Sequence, residues 1–485
     1  MNETVRIVLS YVVFFLYMGL VIVVGEALQK KFNLDKEMCR KGEHLATGLS
    51  WLICCFFTGA SVHTLIINFV GLVLLAVITF GGLMKSVQRE DADKSYGLFF
   101  FGLSTCVVTA ITIFFNTDFY WFTGISYFCM AFGDGLAPFT ARWAKKHNPK
   151  ITEKKTLVGT LTVFIVSSLA AFVFSLACDL GLSIFFCVSL GALAACVELF
   201  SEKCTDNLTI VFSVFGYLVL NDYGLATPAL QWALVLALPL VLLNGGSKAL
   251  TLPANITAWL YVLVTSYFAG IPMLVSVLVL YVLSAFVGKI SHRIHRKRYG
   301  EKLSLSRNAI QILATAGVAM ILSVVYYFTK IEVLLFASFT VIAEEFADTI
   351  ASDIGKLSKN MPRNIIGGKR MTAKVSGGVS LLGLISALLA SAVAMGIPFL
   401  YGVFSWQIFL YLLTVAFLGT VLDSVLGSLL QVLYRCPVCN ELTENRTHCN
   451  EPTVHEKGLR FLGNCGVNFL SGIGTALLCL PLLFI

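Results

Sequence analysis

Apolar runs of roughly membrane-spanning length, separated by short polar stretches, dominate the sequence. The runs cover residues 5–28, 45–61, 63–84, 96–115, 119–132, 156–178, 182–200, 208–220, 229–243, 255–270, 271–289, 308–328, 331–346, 375–396, 404–422 and 464–485. A helical crossing needs about 20 apolar residues, and in lipid every backbone group must be satisfied within the protein. The pattern predicts an all-α, polytopic integral membrane protein with about 14–16 transmembrane helices.

Basic residues concentrate in the polar stretches that alternating spans place on one side of the membrane. These stretches are 30–41, 85–94, 142–155, 289–307 and 356–374, whereas opposite loops such as 116–119 and 221–228 are almost free of Lys and Arg. Cytoplasmic loops are enriched in these residues. The basic side is therefore expected to face the cytoplasm, and the N-terminus is expected to lie outside.

Composition narrows the function classes. Hydrophobic residues make up 57% of the chain and charged residues 13%, which excludes a soluble globular protein. The net charge of +8 sits in the loops and favours the lipid bilayer and anionic ligands as partners. We expect no nucleic-acid partner.

The segment 132–162 combines a carboxylate, glycines and many lysines, although its surroundings are almost entirely apolar. Asp134, between Gly133 and Gly135, can reach a hydrated Mg2+, and the lysines can neutralise nucleotide phosphates: Lys145, Lys146, Lys150, Lys154 and Lys155. The alternative is a positive-inside loop with a helix cap, which explains the lysines by topology alone. It does not explain Asp134, because an ionisable group at the membrane edge is costly and by default marks function.

Two other polar stretches adjoin apolar runs on the same predicted side. In CRKGEHLATG, Arg40 and His44 are one helical turn apart beside Lys41, so they can point at an anionic group or a substrate hydroxyl. The alternative for them is anchoring at lipid headgroups.

The second stretch is VELFSEKCTDNLTI, where Glu198, Asp206 and Asn207 offer oxygen ligands of the kind that a magnesium–nucleotide site collects. For Asp206 and Asn207, helix capping is the alternative.

These three motifs, in this order, resemble the polyprenol kinase family, which comprises CTP-using dolichol kinases and phytol kinases and is related to the CDP-diacylglycerol synthases. The resemblance covers about residues 1–222. The matching residues are Arg40, Lys41, His44, Gly48, the sequence GDGLAP at 133–138, Lys154, Lys155, Thr156, Gly159, Glu198, Asp206 and Asn207. Leu157 and Val158 depart from it, because relatives usually carry an aromatic residue and Glu there.

The second half repeats this arrangement in different residues. Asp348 precedes Lys369 by the same interval that separates Asp134 from Lys155, and Asp423 ends a span much as Glu198 does. We interpret the repeat as an ancient duplication into two divergent homologous halves. The competing explanation is that membrane edges converge on similar composition.

The second half, about residues 226–485, is similar to the phytyl-phosphate kinase family and its uncharacterised bacterial and animal relatives. The residues that carry the similarity are Asp348, Ser352, Asp353 and Gly355 in ADTIASDIG, Arg363 in PRNI, Gly377 and Gly378 in SGGVS, and the segments DSVLGSLLQ and GNCGVNFLSG. The chain departs from these relatives at Ala373, Lys374 and Cys465.

A group of cysteines stands apart from those in the apolar runs. In RCPVCNELTENRTHC, Cys436, Cys439 and Cys449, with His448 or His455, supply four soft ligands for a structural, tetrahedral Zn2+ site. Free thiols and a redox disulfide are the alternatives.

Together the residues and resemblances predict a membrane phosphotransferase with domains 1–222 and 226–485 and with active sites facing the cytoplasm, in the cell membrane if the organism is prokaryotic. The resemblance implies that the first domain phosphorylates a prenyl alcohol, such as phytol, from CTP, and that the second phosphorylates the prenyl monophosphate. The implied catalytic residues are Asp134, Lys155, Asp348 and Lys369.

The remaining site predictions concern phosphate and metal binding. The predicted phosphate-binding residues are Arg40, Lys41, His44, Gly133, Gly135, Lys154, Thr156, Gly159, Arg363, Gly377 and Gly378. The predicted Mg2+ ligands are Asp134, Glu198, Asp206, Asn207, Asp348, Asp353 and Asp423. Cytidylyl transfer to a phospholipid or prenyl phosphate is the alternative reaction. Membrane transport is the alternative class, although the acids lie at span ends rather than at the midplane.

Overall fold

The protein consists of helices arranged in two compact units, Met1–Ser247 and Lys248–Ile485. The structure, a computed structural model, describes residues 2–32, 35–81, 96–145, 148–202, 204–247, 250–299, 307–371 and 376–484. The boundary between the units follows the helix Pro228–Ser247, which packs within the first unit, whereas the sequence placed the boundary at 222–226.

The helices of the first unit are α1 (Glu3–Phe32), α2 (Lys36–Gly48), α3 (Ser50–Phe57), α4 (Val62–Gly81), α5 (Gly97–Phe115), α6 (Tyr120–Phe128), α7 (Gly135–Trp143), α8 (Leu157–Ala177), α9 (Ile184–Phe200), α10 (Asp206–Asp222) and α11 (Pro228–Ser247). A π-helical turn, Cys129–Asp134, joins α6 to α7. Small residues allow close helix packing here, since a Cβ atom at Gly124 of α6 would lie 2.6 Å from the Trp51 ring on α3.

The helices of the second unit are α12 (Leu252–Tyr299), α13 (Ala309–Thr329), α14 (Glu332–Gly355), α15 (Leu381–Leu400), α16 (Trp406–Leu429) and α17 (Asn464–Leu478). Short strands occupy its loops: β1 (Arg363–Asn364), β2 (Gly378–Val379), β3 (Leu433–Arg435), β4 (Leu442–Thr443), β5 (Thr447–His448), β6 (Glu451–Pro452) and β7 (Val454–Lys457). Helix α14 is central, because it packs against α12, α13, α15, α16 and α17.

Helix α12 consists of two helical segments that meet at Gly270. This residue has φ 81° and ψ −170°, a backbone conformation essentially restricted to glycine, and Pro272 follows it. The two segments correspond to the predicted runs 255–270 and 271–289. Leu250, just before α12, pairs with Arg307, so the start of the first segment lies near the loop that follows the second.

The prediction of an all-α integral membrane protein is confirmed. Among the described residues, nine helices are long and apolar enough to cross a membrane, with α12 counted once. The sequence-based number was larger because it included shorter apolar helices such as α9 and the carboxylate-bearing α14. The predicted span 45–61 is wrong as a single helix, since α2 ends at Gly48 and α3 covers only Ser50–Phe57.

Sidedness in the second unit can be tested by cysteine-accessibility labelling at Lys297 and Arg363. Both residues are exposed. Lys297 lies in the last turn of α12, before α13, and Arg363 follows α14, so the antiparallel hairpin of α13 and α14 places both at the same end of the unit. An impermeant maleimide should reach cysteines at both positions only from the cytoplasmic side, above the labelling of the unsubstituted chain. Labelling of either position from outside contradicts the positive-inside orientation. Lys146, a third position suited to this test, lies outside the described residues.

Candidate functional site

Asp134 occupies the last position of the π-helical turn between α6 and α7. Such turns insert one residue into a helix and are frequent at functional sites. The Asp134 side chain is buried, and its carboxylate accepts a charge-assisted hydrogen bond from the Lys41 ammonium on α2. The sequence predicted both residues as site residues, and the structure joins them directly.

Glycines allow the elements around Asp134 to approach closely. A Cβ atom at Gly135 would lie 2.7 Å from a methyl carbon of Leu45 on α2, and one at Gly133 would lie 3.2 Å from the Ser167 hydroxyl on α8. The first distance is shorter than Cβ contacts in proteins, so a larger residue at position 135 would displace the Leu45 side chain. Gly133 and Gly135, which the sequence predicted as phosphate-binding residues, therefore pack the elements that hold Asp134.

Lys155 links the loop before α8 to two further helices. Its ammonium pairs with the Glu198 carboxylate near the end of α9 and lies 3.6 Å from Asp206 Oδ2 at the start of α10. Burial by itself would lower the pKa of Lys155, but the carboxylates of Glu198, Asp206 and Asp134 raise it above its usual value. Lys155 therefore remains protonated and supplies a fixed positive charge beside three carboxylates.

The loop that carries Lys155 is held by Asn148, a residue that sequence reasoning missed. The Asn148 amide nitrogen donates to the Ala141 carbonyl and to Thr156 Oγ1, each at 3.0 Å, and its Oδ1 accepts from the Val158 backbone N–H. Asparagine bonds that bridge two backbone segments are typical of ordered turns. In the sequence, the signal for this role was an Asn within a Lys-rich loop.

His44 is buried next to the Asp134 turn rather than placed among headgroups. Its Nε2 lies 3.0 Å from the Met130 sulfur, and its ring packs edge-on against Phe101 with the centroids 4.8 Å apart. Lipid anchoring therefore does not account for His44. Arg40, one turn earlier on α2, is half-buried.

Three other predicted residues of the first unit have local structural roles or lie in solvent. Thr156 caps α8, because its hydroxyl accepts from the Gly159 backbone N–H. The Asn207 amide nitrogen donates to the Gly97 carbonyl at 2.8 Å and so ties α10 to α5. Lys154 is exposed.

The oxygen atoms of this site match the donor chemistry that Mg2+ requires. Glu198 Oε2 and Asn207 Oδ1 are buried and have no hydrogen-bond partner among the described residues, so each leaves an acceptor available. The carboxylates of the site are not gathered around a common centre, since the cysteine-rich group is the sole set of three or more His, Cys, Asp or Glu ligand atoms within 4.8 Å of one another in the described parts of the chain. Lysine ammonium groups occupy the space between the carboxylates instead.

The second unit gathers carboxylates on its central helix. Glu344 of α14 is 1% exposed. Its Oε1 accepts from the Ser471 hydroxyl of α17 at 3.1 Å, and its Oε2 is buried without a hydrogen-bond partner in the part of the chain that the structure describes. Asp348, one turn later, and Asp423 of α16 are the charged neighbours of Glu344. Sequence reasoning missed Glu344, although its spacing from Asp348 places both on one helix face.

Asp353 lies on a different side of α14 from Asp348, because five residues rotate a helix by about 140°. Its carboxylate accepts from Lys356 Nζ at 3.4 Å, and its backbone carbonyl accepts from the Ser291 hydroxyl of α12 at 2.5 Å. A Cβ atom at Gly288 would lie 3.2 Å from Asp353 Oδ2. Asp353 therefore faces α12.

The PRNI and SGGVS motifs pair with each other. Strands β1 and β2 are antiparallel, with Asn364 opposite Gly378, and the Asn364 amide donates to Ser428 Oγ at 2.8 Å. Gly377 has φ 84°, and a Cβ atom there would lie 2.6 Å from Ser428. Glycine is therefore required at this position both by conformation and by space.

The predicted basic residues of this region lie at the surface. Lys369 and Arg363 are both exposed, and the Lys369 backbone carbonyl accepts from the Asn364 N–H at 2.8 Å, closing a tight turn. Their side chains are accessible to a ligand that arrives from solvent.

Cys436, Cys439, His448 and Cys449 come together in the loop between α16 and α17, with one donor atom from each within 4.8 Å of the others. The structure also decides between the two candidate histidines. His455 Nε2 instead lies 3.0 Å from the Gly458 carbonyl, and its ring packs edge-on against Tyr434.

The fold and these polar clusters define a polytopic helical membrane protein that carries charged sites among its helix ends. Residues 235–476 match the family described as integral membrane protein DUF92. By this match the chain belongs to that family. No solved structure matches the chain.

Several curated proteins are similar to the chain. A phytol kinase of Synechocystis sp. (strain ATCC 27184 / PCC 6803 / Kazusa) is 28% identical over 204 residues, which cover 40% of this chain and 83% of the kinase. Protein PGR of Arabidopsis thaliana is 29% identical over 259 residues, which cover 48% of this chain and 88% of that protein. The sequence-based resemblance to phytol kinases is confirmed.

Proposed function

We propose that this protein is a membrane-embedded kinase that transfers phosphate from a nucleoside triphosphate, CTP, to a prenyl alcohol. Similarity to a phytol kinase supports the class. The observation that carries the proposal is the buried network in which Lys41 pairs with Asp134 while Lys155 pairs with Glu198 and approaches Asp206.

Phosphoryl transfer requires cations around the transferred phosphate and oxygen ligands for its metal ion. Here the two sets interleave, because each lysine pairs with a carboxylate. Burying ion pairs costs desolvation free energy that their attraction barely offsets, so stability alone gives little reason to keep them. We infer that the lysine side chains turn to the phosphates when the nucleotide binds. This movement frees the carboxylates to bind the metal ion.

Asp134, Glu198, Asp206 and Asn207 are the residues that would hold Mg2+. Glu198 and Asn207 each already present an oxygen that no described residue hydrogen-bonds. Bound there, the ion would neutralise charge on the nucleotide phosphates. Lys155, kept protonated by its carboxylate neighbours, stabilises the charge that develops on the transferred group.

The acceptor hydroxyl needs a group that can take its proton. His44 Nε2 is beside the Asp134 turn, 3.0 Å from the Met130 sulfur, and in the tautomer that carries its hydrogen on Nδ1 this nitrogen has a lone pair that can accept a proton. We propose that this nitrogen accepts the proton while the prenyl tail remains among the apolar helices.

We further propose that the second unit phosphorylates the prenyl monophosphate. Its resemblance to phytyl-phosphate kinases supports this, together with the carboxylates of Glu344, Asp348 and Asp423 on adjoining helices. These acids would bind Mg2+, while Lys369 and Arg363, both exposed, would meet the phosphates.

CTP labelled separately at the α and γ phosphates tests the reaction type. Purified protein in lipid, incubated with each label and a panel of prenyl alcohols, should transfer γ label to lipid and leave α label in the nucleotide. Transfer of α label would indicate cytidylyl transfer. Absence of both labels from lipid, with every alcohol and with CTP replaced by other triphosphates, would contradict a kinase.

A further inference from the structure

The loop between α16 and α17 forms a small β module in the residues 431–459. Strand β3 pairs with β4 and β7, and β5 pairs with β6. A module with such short strands has little apolar core of its own and needs another source of stability. Three thiols and an imidazole converge within it.

Two tight turns present these side chains. At the first turn, the Cys436 N–H donates to the Glu441 carbonyl and the Asn440 N–H donates to the Cys436 carbonyl, each at 3.0 Å. At the second, Cys449 and Asn450 connect β5 to β6 with φ values of 52° and 61°, as a two-residue type I′ hairpin requires. A positive φ is uncommon for Cys, and it directs the Cys449 thiol toward the first turn.

The donor atoms have the spacing of a tetrahedral zinc site. The sulfur atoms of Cys439 and Cys449 each lie 3.4 Å from His448 Nδ1, and all four donors lie within 4.8 Å of one another. Zinc bonds of about 2.3 Å to sulfur and 2.0 Å to nitrogen place such ligands about 3.5 Å apart.

Alternative explanations fit less well. Cys439 and Cys449 are exposed, so the group is not apolar core, and no disulfide joins the cysteines that the structure describes. One disulfide would leave a third thiol and the imidazole crowded without a partner.

We propose that Cys436, Cys439, His448 and Cys449 bind one structural zinc ion, and that this ion fixes the glycine segment 376–378 through Glu444. Glu444 lies between β4 and β5, and its Oε1 accepts from the Ser376 N–H at 3.2 Å and from the Ser376 hydroxyl at 2.6 Å. Gln431, which precedes β3, donates to Ser376 Oγ at 3.1 Å. The module therefore holds the glycine segment through the side chains of Glu444 and Gln431, which both hydrogen-bond Ser376.

Both anchors depend on the fold of the module. Gly458, just after β7, has φ 81°, and a Cβ atom there would lie 2.0 Å from the Gln431 carbonyl oxygen. The end of β7 thus rests on the residue that holds Ser376. Because zinc binding and folding are coupled in small metal-dependent modules, loss of the ion would release Gln431 and Glu444 together. This inference does not depend on the kinase activity.

Elemental analysis of the purified full chain, expressed with supplied zinc, tests the site. One zinc per chain is expected in the unmodified protein and in Cys465→Ser, a matched control at a half-buried cysteine outside the group. Cys436→Ser with Cys439→Ser should lose the ion. An unmodified protein without zinc, or a folded double variant that retains it, would overturn the site.

Hydrogen exchange of the backbone at 376–380 tests the coupling. Removing zinc with a chelator, or substituting Glu444→Ala, should accelerate exchange there by about tenfold or more, as expected for losing hydrogen bonds to a charged group. Glu444→Ala should keep its zinc, which separates the anchor from the metal. Unchanged exchange at 376–380 after zinc loss would mean that the ion does not fix the glycine segment.

Discussion

Asp134→Asn is expected to lower phosphorylation of a free prenyl alcohol on the order of a thousandfold while leaving conversion of supplied prenyl monophosphate intact. The substitution removes a proposed metal ligand and the partner of Lys41, which would cost several kcal/mol of transition-state stabilisation. The two reactions can be followed separately with γ-labelled CTP and either acceptor.

Stability must be measured beside activity, because Asp134 is 3% exposed and its loss leaves the Lys41 ammonium buried without its carboxylate. Removing one partner of a buried pair typically costs about 3–5 kcal/mol. Adding Lys41→Met should restore thermal stability without restoring activity. Asp118→Asn, at an exposed acid, is the matched control. Wild-type alcohol phosphorylation in Asp134→Asn would remove Asp134 from the mechanism.

Asp348→Asn is expected to give the reverse result, with loss of monophosphate phosphorylation on the order of a thousandfold and accumulation of prenyl monophosphate. Its stability should not fall as that of Asp134→Asn does. Asp348 is near other carboxylates, Asp423 among them, so neutralisation relieves repulsion between carboxylates.

Glu332→Gln provides the matched control on the same helix, since Glu332 is exposed at the opposite end of α14. Product analysis by chromatography of the labelled lipids distinguishes monophosphate from diphosphate. If either the Asp134 or the Asp348 variant loses both activities while remaining folded, the division of the two reactions between the two units is wrong.

Membrane helices were predictable from the sequence because bilayer thickness sets a length that apolar runs must match. The apolar runs did not predict helix boundaries that depend on packing between helices. The run 45–61 contains the end of α2 and the eight-residue α3, and the run 119–132 continues through the π-helical turn into α7. Whether a helix continues past an apolar run depends on contacts with its neighbours, which composition does not encode.

Charge patterns identified the polar clusters but not the partners within them. Of the lysines in 145–155 that the structure describes, Lys155 reaches Glu198 and Asp206, whereas Lys145, Lys150 and Lys154 are exposed. Within CRKGEHLATG, the ammonium of Lys41 pairs with Asp134. The predicted common origin of the two halves stays a prediction.

By itself, the sequence determined the membrane class, the resemblance to phytol kinases and the residues around which charge collects, since each of these depends on local composition or on short motifs. Only the tertiary structure decided which groups meet: Lys41 with Asp134, Glu344 with Ser471, and His448 rather than His455 with the thiols. The first two pairs join residues far apart in the chain. Their contact is fixed by helix packing around glycines such as Gly135 and Gly419, which no local pattern specifies.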